Sequence, residues 1–352
     1  MLVVILGAGA SFDSRPAEVG GRVLDEWRPP LTNSLFDPEA AWADRLTGFP
    51  QALPAIVPIR RQLGQGVGLE KILEEMLQSS GGSISRKRQL LAIQFFLRQI
   101  LHECSHLWHE SLGGLTSYAE MIGEVTSWSE STGTPVCYVT FNYDTLLEQA
   151  FADAHIHQFA SMDTYVSSAH LKLIKPHGSI DWIRLLSDAG SYSANEAQRS
   201  SHGIDDHRGA TFLIENPPPD SEYTGEFDKV KHHSGIAAVN STVHVGAPAI
   251  ALPVQYKPNS LLVLPDTHRQ ALEESFTAAT KLLVIGWRAS EIHFLDIMRT
   301  SVDPRIPVEI VSKNSGLETI DNLSNAGLGD FRNTGMGFTE YLGSGRLAKF
   351  VS

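Results

Sequence analysis

Five short runs of the chain are apolar at consecutive positions. They are Leu2–Leu6, Val136–Phe141, Leu171–Ile174, Leu282–Ile285 and Val308–Val311. A run that is apolar on both faces is typical of a central strand in a parallel sheet, covered by helices on both sides. Helical patterns separate several of the runs. The sequence therefore predicts an α/β fold with a Rossmann-like, doubly wound parallel sheet.

The residues between these runs predict helices and one irregular segment. Apolar residues spaced three and four apart favour helices over 67–78, 87–109 and 115–130. We interpret 37–133 as a helical module inserted between the first and second strands. Residues 187–250 are rich in Ser, Asn, His, Gly and Pro, which indicates a variable loop or insertion. The whole chain, 1–352, is interpreted as a single domain with these two additions.

Composition narrows the class of protein. The formal net charge of −12 disfavours direct binding to nucleic acid, which needs clustered Lys and Arg. Only two cysteines occur, so the chain has no four-cysteine zinc module, and a reducing compartment is expected. The apolar start is too short for a signal peptide, and no run reaches membrane-spanning length. We expect a cytoplasmic protein that makes no membrane contact.

Two motifs follow the first and second strands. After the first come Gly7, Ala8, Gly9, Ala10 and Ser11, whose small residues would let backbone N–H groups approach a pyrophosphate. A tight strand-to-helix turn is the alternative. The second motif, Thr140–Asp144, places Asn142 and Asp144 where ligands bind in open α/β sheets. The alternative is that Asn142 or Asp144 only caps the helix predicted over Thr145–Ala150 by accepting hydrogen bonds from its N–H groups.

Two further motifs close later strands on glycine. His177, in Lys175–Trp182, lies at a strand end and has the chemistry of a general base, although a lone histidine is often a structural hydrogen-bonding group. The run from Leu282 ends at Gly286, which either approaches a ligand or turns the chain. All four motifs fall at the same predicted edge of one sheet.

These motifs, taken in order, resemble the sirtuin-like family, which has Gly-Ala-Gly-x-Ser, Thr-x-Asn-x-Asp and His-Gly elements. The similarity is stronger to the bacterial branch, since Pro29–Phe36 and Glu70–Leu73 also match that pattern. It covers roughly residues 1–184 and 251–311.

The resemblance implies NAD+ as substrate and no metal cofactor. It implies that Asn142 positions the ribose hydroxyls or a water, and that His177 is the general base. It places the nicotinamide carboxamide at Asp144 and the pyrophosphate at Gly7–Ser11. Thr140 and Gly286 would complete the binding site, with adenosine near Ser312.

Two departures from the family pattern bear on function. Classical sirtuin deacylases carry a four-cysteine zinc module, which this chain cannot build. Its absence favours the branch that hydrolyses NAD+, often in defence against phage. The late family motif Gly-Tyr-Ser-x-x-x-x-Asp is also altered, because Gly286–His293 keeps only the glycine and an aromatic residue.

Three other function classes remain open at this point. The first uses NAD+ for deacylation or ADP-ribosyl transfer, and the second senses NAD+ or a derived nucleotide without turnover. The third is a metalloprotease, because His102–His106 matches H-E-x-x-H and His109 follows. We interpret these histidines instead as the polar face of a helix.

Control of activity is expected for any enzyme that depletes NAD+. We expect it to come from a homo-oligomer, from a defence-system partner such as an ATPase, or from the segment 187–250.

Overall fold

The computed structural model describes residues 1–15, 25–65, 83–186, 207–218, 223–229, 236–239, 242–250, 264–314 and 316–352, with single positions between 67 and 79. The strands are β1 (Leu2–Leu6), β2 (Val136–Thr140), β3 (Leu171–Ile174), β4 (Gly178–Leu186), β5 (Tyr223–Lys229), β6 (Ile236–Val239), β7 (Thr242–Ile250), β8 (Lys281–Ile285), β9 (Pro307–Val311) and β10 (Asp330–Asn333). The helices are α1 (Ala8–Phe12), α2 (Leu53–Gly64), α3 (Ile84–Ser111), α4 (Ser117–Thr132), α5 (Leu146–Asp153), α6 (His207–Glu215), α7 (Asp266–Thr277), α8 (Ile292–Ser301), α9 (Leu317–Asn325), α10 (Phe338–Gly343) and α11 (Arg346–Val351).

The main sheet is parallel, with strand order β10-β9-β8-β1-β2-β3. Its central strand β1 pairs in register with β2 on one side and β8 on the other, so that Leu2 lies opposite both Val136 and Lys281. This order, with helical crossovers, is that of a doubly wound Rossmann-like fold. All five apolar runs form strands of this sheet, which confirms the predicted fold class.

Each face of the sheet has its own layer of helices. Val3 and Ile5 belong to a buried core that includes Phe276 of α7 and Phe294 of α8. The opposite face packs on other helices, as the 5.3 Å contact between the rings of Tyr138 and Phe151 shows. Helices α4, α5, α10 and α11 lie together in this second layer. The strands are apolar at every position because both of their faces are covered.

The predicted helices have mixed outcomes. Helix α3 extends the prediction for 87–109 at both ends, and α4 covers most of 115–130. Thr116 caps α4 by accepting a hydrogen bond from the Ala119 N–H, and Gly133 ends it with φ +66°. The helix predicted over 67–78 lies mostly outside the described residues. Among the helices that the structure describes, none has the length and apolar composition needed to cross a bilayer.

The chain divides into two compact units. The first consists of Met1–Leu31, Ser105–His177 and Gln255–Ser352, and it contains the whole parallel sheet. The second consists of Thr32–Cys104 and Gly178–Val254. The predicted module 37–133 is therefore divided between the units, since its last part, α4, belongs to the first. The single-domain organisation stays a prediction.

The second unit contains an antiparallel sheet of order β5-β4-β7-β6 that the sequence does not predict. In this unit Lys229 of β5 pairs with Asp181 of β4 at 3.0 Å, and Phe36 stacks on Phe96 at 5.8 Å between ring centroids. Three of the strands and α6 fall within 187–250, where a variable loop or insertion is predicted. The rest of that segment lies outside the described residues.

Both cysteine thiols are expected to resist modification in the native protein. Cys104 and Cys137 form no disulfide bond and are both buried, and burial raises the pKa of the Cys137 thiol to about 11. Only the thiolate is reactive, so an aromatic disulfide reagent at about pH 8 should label neither residue until the chain unfolds. Absorbance of the released thiol measures the labelling, with a urea-unfolded sample as the positive control. Rapid labelling of the folded protein would contradict this placement.

Candidate active site

The predicted motifs meet at the carboxyl edge of the parallel sheet. The chain runs outward from β1 through β2 to β3, and then returns to build β8, β9 and β10 on the other side. The edge between β1 and β8 is therefore the topological switch point, where open α/β sheets bind ligands. Gly7 follows β1 and Gly286 follows β8 at this point, and Ser312 follows β9 on the same edge.

Three glycines allow the turns after β1 and β8 to touch through their backbones. A Cβ on Gly7 would lie 2.5 Å from the Gly286 carbonyl oxygen, and one on Gly9 would lie 2.9 Å from the Gly286 Cα. Gly286 has φ +61°, and a Cβ there would lie 2.5 Å from the Ala10 nitrogen. Close packing between the two turns accounts for all three glycines.

Several N–H groups of the first turn donate within the protein. Gly7 N–H donates to the Ile285 carbonyl at 3.0 Å and Gly9 N–H to the Gly286 carbonyl at 3.1 Å, while Ala10 N–H donates to the Gly7 carbonyl at 2.9 Å. This geometry is that of the tight turn that the sequence leaves as the alternative. Contact of Gly7–Ser11 with a pyrophosphate stays a prediction.

A buried hydrogen-bond network joins the first turn to the loop after β2. The Ser11 hydroxyl donates to Asp144 Oδ2 at 2.7 Å and lies 2.8 Å from the Tyr118 hydroxyl. The Asn142 side-chain nitrogen lies 2.8 Å from Ser11 Oγ, 3.1 Å from the Tyr118 hydroxyl and 3.0 Å from the Gly7 carbonyl. The network holds the Asn142 amide in one orientation.

Two further contacts set the course of this loop. Thr140 Oγ1 accepts a hydrogen bond from the Asn142 backbone N–H at 3.2 Å. Asp144 Oδ1 accepts a hydrogen bond from the Leu146 N–H at 3.1 Å, so it satisfies the first N–H group of α5, as the alternative interpretation expects, although the N-cap residue is Thr145. Burial raises the pKa of Asp144, while Lys175 and the hydrogen bond from Ser11 lower it in part. The net direction is upward.

Lys175 lies beneath the loop and is fully buried. Its ammonium donates to the Asp144 backbone carbonyl at 2.5 Å and to Glu148 Oε1 at 2.8 Å. The Tyr165 hydroxyl donates to the same Glu148 oxygen at 3.2 Å. A buried charge needs a partner of this kind, and here the pair connects the end of β3 to α5.

His177 follows Lys175 by two residues and lies among aromatic rings. Its imidazole is 4.9 Å from the Phe141 ring and 5.8 Å from the Tyr143 ring, between centroids. Its Nε2 is 4.0 Å from Glu291 Oε1, and the other oxygen of Glu291 accepts a hydrogen bond from Trp287 Nε1 at 2.7 Å. Phe141 also stacks on the indole of Trp287, at 4.8 Å between centroids, so it contacts both rings.

The structure adds three residues to this site that the sequence did not assign. Tyr118 shares the buried face of α4 with Met121 and Ile122, so helical spacing predicts its burial but not its partners. Lys175 is the first residue of the Lys175–Trp182 motif. A lysine directly after an apolar strand was the sequence signal that could have identified it. Glu291 belongs to the altered late motif, and no spacing rule connects it to His177.

The H-E-x-x-H residues and the nearby His109 have other contacts. Glu103 accepts hydrogen bonds from Arg45 at 2.8 Å and from Gln99 at 2.9 Å. His106 lies 3.3 Å from Glu110, and His109 lies 2.7 Å from Asp153. Over the described ranges, no group of three or more His, Cys, Asp or Glu side chains could hold a metal ion.

Comparison with protein families singles out the segment that contains Asn142 and His177. Residues 136–202 match the family model of a SIR2-like domain. The matched segment is less than half of the chain, and it includes both the Thr140–Asp144 motif and the Lys175–Trp182 motif.

Solved structures of Sir2 proteins align over nearly the whole chain at low similarity. A Sir2 homologue in complex with NAD is 11% identical, with a TM-score of 0.40, and the alignment covers 100% of this chain and 90% of that one. A Sir2 enzyme structure concerned with mechanism and regulation is 15% identical, with a TM-score of 0.39 and coverages of 99% and 92%. Sir2 bound to an acetylated peptide is 12% identical, with a TM-score of 0.37 and coverages of 100% and 94%. No curated protein matches the sequence. The fold assignment therefore rests on the strand order described above.

Proposed function

We propose that this protein binds NAD+ at the carboxyl edge of the parallel sheet and hydrolyses its nicotinamide–ribose bond. The observation that carries the proposal is the placement of Asn142 and His177. They follow neighbouring strands beside the topological switch point, and both lie in the segment that matches the SIR2-like family model. A fixed amide and an imidazole at such an edge can hold a ribose and receive a proton.

The chemistry of NAD+ fits these groups. When the bond between the ribose C1′ and the pyridinium nitrogen breaks, its electron pair goes to nitrogen and neutral nicotinamide leaves. Water then forms a bond to C1′ and gives up one proton, so the products are nicotinamide, ADP-ribose and a proton. This step needs an acceptor for the proton of water and donors or acceptors for the ribose hydroxyls.

The residue roles follow from this proposal. Asn142 positions a ribose hydroxyl or the attacking water, and His177 receives the proton. Asp144, held by Ser11, is placed for the nicotinamide carboxamide, with Thr140 supporting the loop. The turns at Gly7–Ser11 and Gly286 flank the pyrophosphate, and Ser312 lies toward the adenosine. No metal takes part in this mechanism.

The test is incubation of the purified protein with NAD+, with chromatography of nicotinamide and ADP-ribose. His177→Ala is expected to lower turnover by about 100-fold or more, the usual effect of removing a general base. Asn142→Ala is expected to lower turnover by about 100-fold, because the ribose hydroxyl or the water is no longer positioned. His106→Ala is the matched control, because its side chain is exposed and it removes one imidazole of H-E-x-x-H. Full turnover by both site variants would overturn the role assignment.

The products separate hydrolysis from its alternatives. O-acyl-ADP-ribose formed with an acylated peptide would identify a deacylase, and labelled protein would identify ADP-ribosyl transfer. Retained NAD+ without nicotinamide release would identify a nucleotide sensor. Loss of a proteolytic activity in His106→Ala would support the metalloprotease.

We also propose that the enzyme acts in the cytoplasm in anti-phage defence and is held inactive until triggered. Uncontrolled loss of NAD+ would harm the host cell, so a homo-oligomer or a partner such as an ATPase would control it. Because this chain has a net charge of −12, we expect a partner protein, and not this chain, to sense any nucleic acid. Full constitutive activity of a purified monomer would contradict this control.

A further inference from the structure

The orientation of the Asn142 amide follows from one of its neighbours. The Gly7 carbonyl lies 3.0 Å from the terminal nitrogen of Asn142, and a carbonyl oxygen can only accept a hydrogen bond. Turning the amide by 180° would place two acceptors against each other. The NH2 group must therefore face the protein, which settles an assignment that heavy-atom positions alone leave open.

The direction of the other hydrogen bonds follows from counting protons. Ser11 has one hydroxyl proton, and it goes to Asp144 Oδ2 at 2.7 Å. The 2.8 Å contact between Ser11 and Tyr118 then requires the Tyr118 hydroxyl to donate to Ser11 Oγ. The Tyr118 oxygen is left to accept from the Asn142 NH2 group at 3.1 Å.

Burial supports this direction. The Tyr118 side chain is buried, and its ring packs edge-on against Phe338 at 5.6 Å between centroids. Burial raises the pKa of Tyr118 well above its ordinary value, and the nearby Asp144 carboxylate raises it further. The phenol therefore keeps its proton at neutral pH and remains the donor to Ser11.

From these contacts we infer that Tyr118 is a positioning residue, which holds the Asn142 amide so that its oxygen is the atom offered to the ligand. The two protons of the NH2 group are shared among the acceptors of Gly7, Ser11 and Tyr118, so Oδ1 is the atom of the amide left for a ligand. The ligand group at that point is a hydrogen-bond donor, either a ribose hydroxyl or the attacking water. The identity of this ligand rests on the proposed function. The orientation of the Asn142 amide rests only on the contacts described above.

Tyr118→Phe tests the inference by removing one oxygen and keeping the ring. We expect kcat for NAD+ hydrolysis to fall by about 10-fold, the effect of losing one hydrogen bond, with KM unchanged within about twofold. The matched control is Tyr138→Phe. Tyr138 is equally buried, on β2, and its hydroxyl has no hydrogen-bond partner among the described residues. Its removal should leave kcat unchanged.

A second readout needs no activity. In ligand-free protein labelled with ¹⁵N at asparagine, the Asn142 side-chain NH2 signal is assigned by its loss in Asn142→Ala. Its hydrogen exchange should be at least about 10-fold faster in Tyr118→Phe than in wild type or Tyr138→Phe, because one acceptor is gone. Ser11→Ala should give the same acceleration by removing a second acceptor, and it serves if Tyr118→Phe does not fold.

The outcomes are distinct. Unchanged exchange in both Tyr118→Phe and Ser11→Ala would overturn the inference, as would a tenfold rise in KM with kcat preserved. Faster exchange in a protein that never releases nicotinamide would support the positioning role and count against the proposed function.

Discussion

Replacement of Lys175 by methionine is expected to lower the free energy of unfolding by about 3–5 kcal/mol, the usual result of leaving one charge of a buried pair without its partner. The Lys175 side chain is fully buried, and its ammonium contacts both Glu148 and the Asp144 carbonyl. Methionine fills most of the space but supplies no donor, so the Glu148 carboxylate loses its cation. Urea unfolding followed by circular dichroism measures the change.

Two variants sharpen this test. Lys172→Met changes the same residue type three residues earlier, at a partly exposed position of β3, and it should cost less than about 0.5 kcal/mol. Adding Glu148→Gln to Lys175→Met should recover part of the loss, because it removes the charge that the Lys175 ammonium balances in the wild type. A cost below about 1 kcal/mol for Lys175→Met would show that the buried pair does not stabilise the fold.

Gly286→Ala is expected to destabilise the protein by about 2–5 kcal/mol. Of this, about 1–2 kcal/mol comes from placing a Cβ at a left-handed backbone, and about 1–3 kcal/mol from overpacking. The new Cβ would lie 2.5 Å from the Ala10 nitrogen and 2.6 Å from the Gly9 carbonyl carbon, and both are backbone atoms with little freedom to move. Thermal and urea unfolding should both report the loss.

Gly133→Ala measures the backbone contribution without the overpacking. Gly133 has φ +66°, nearly that of Gly286, but an added Cβ would have no neighbour within 4 Å. It should cost about 1–2 kcal/mol, the conformational part alone. Equal losses in the two variants would mean that the turns after β1 and β8 do not constrain each other.

Much of the parallel sheet could be predicted because its strands are buried on both faces. A short, unbroken apolar run such as Leu282–Ile285 is typical of a strand that helices cover on both sides. The edge strand β10 escaped prediction because Phe331 is the one apolar residue of Asp330–Asn333, which leaves no apolar pattern to detect. Strand β5 escaped for a related reason, since Tyr223–Lys229 is largely polar and lies at the border of its sheet.

Within the site, sequence reasoning could place groups at strand ends but not pair them. Asn142 and His177 were found because strand ends in a parallel sheet share an edge. Tyr118 was not, because the direction of its hydroxyl depends on how α4 packs. The small residues after β1 were identified from the sequence, but their close packing on the turn after β8, more than 270 residues away in sequence, was not predicted.

The position of β1 in the middle of the sheet also has a consequence for folding. Leu2–Leu6 pairs with Val136–Thr140 on one side and with Lys281–Ile285 on the other. Contacts this distant in sequence form slowly. During synthesis, β1 cannot pair with β8 until residues 281–285 have left the ribosome. Nascent chains that end before residue 281 therefore lack the switch point altogether, so the candidate site cannot form on a growing polypeptide before the main sheet is nearly complete.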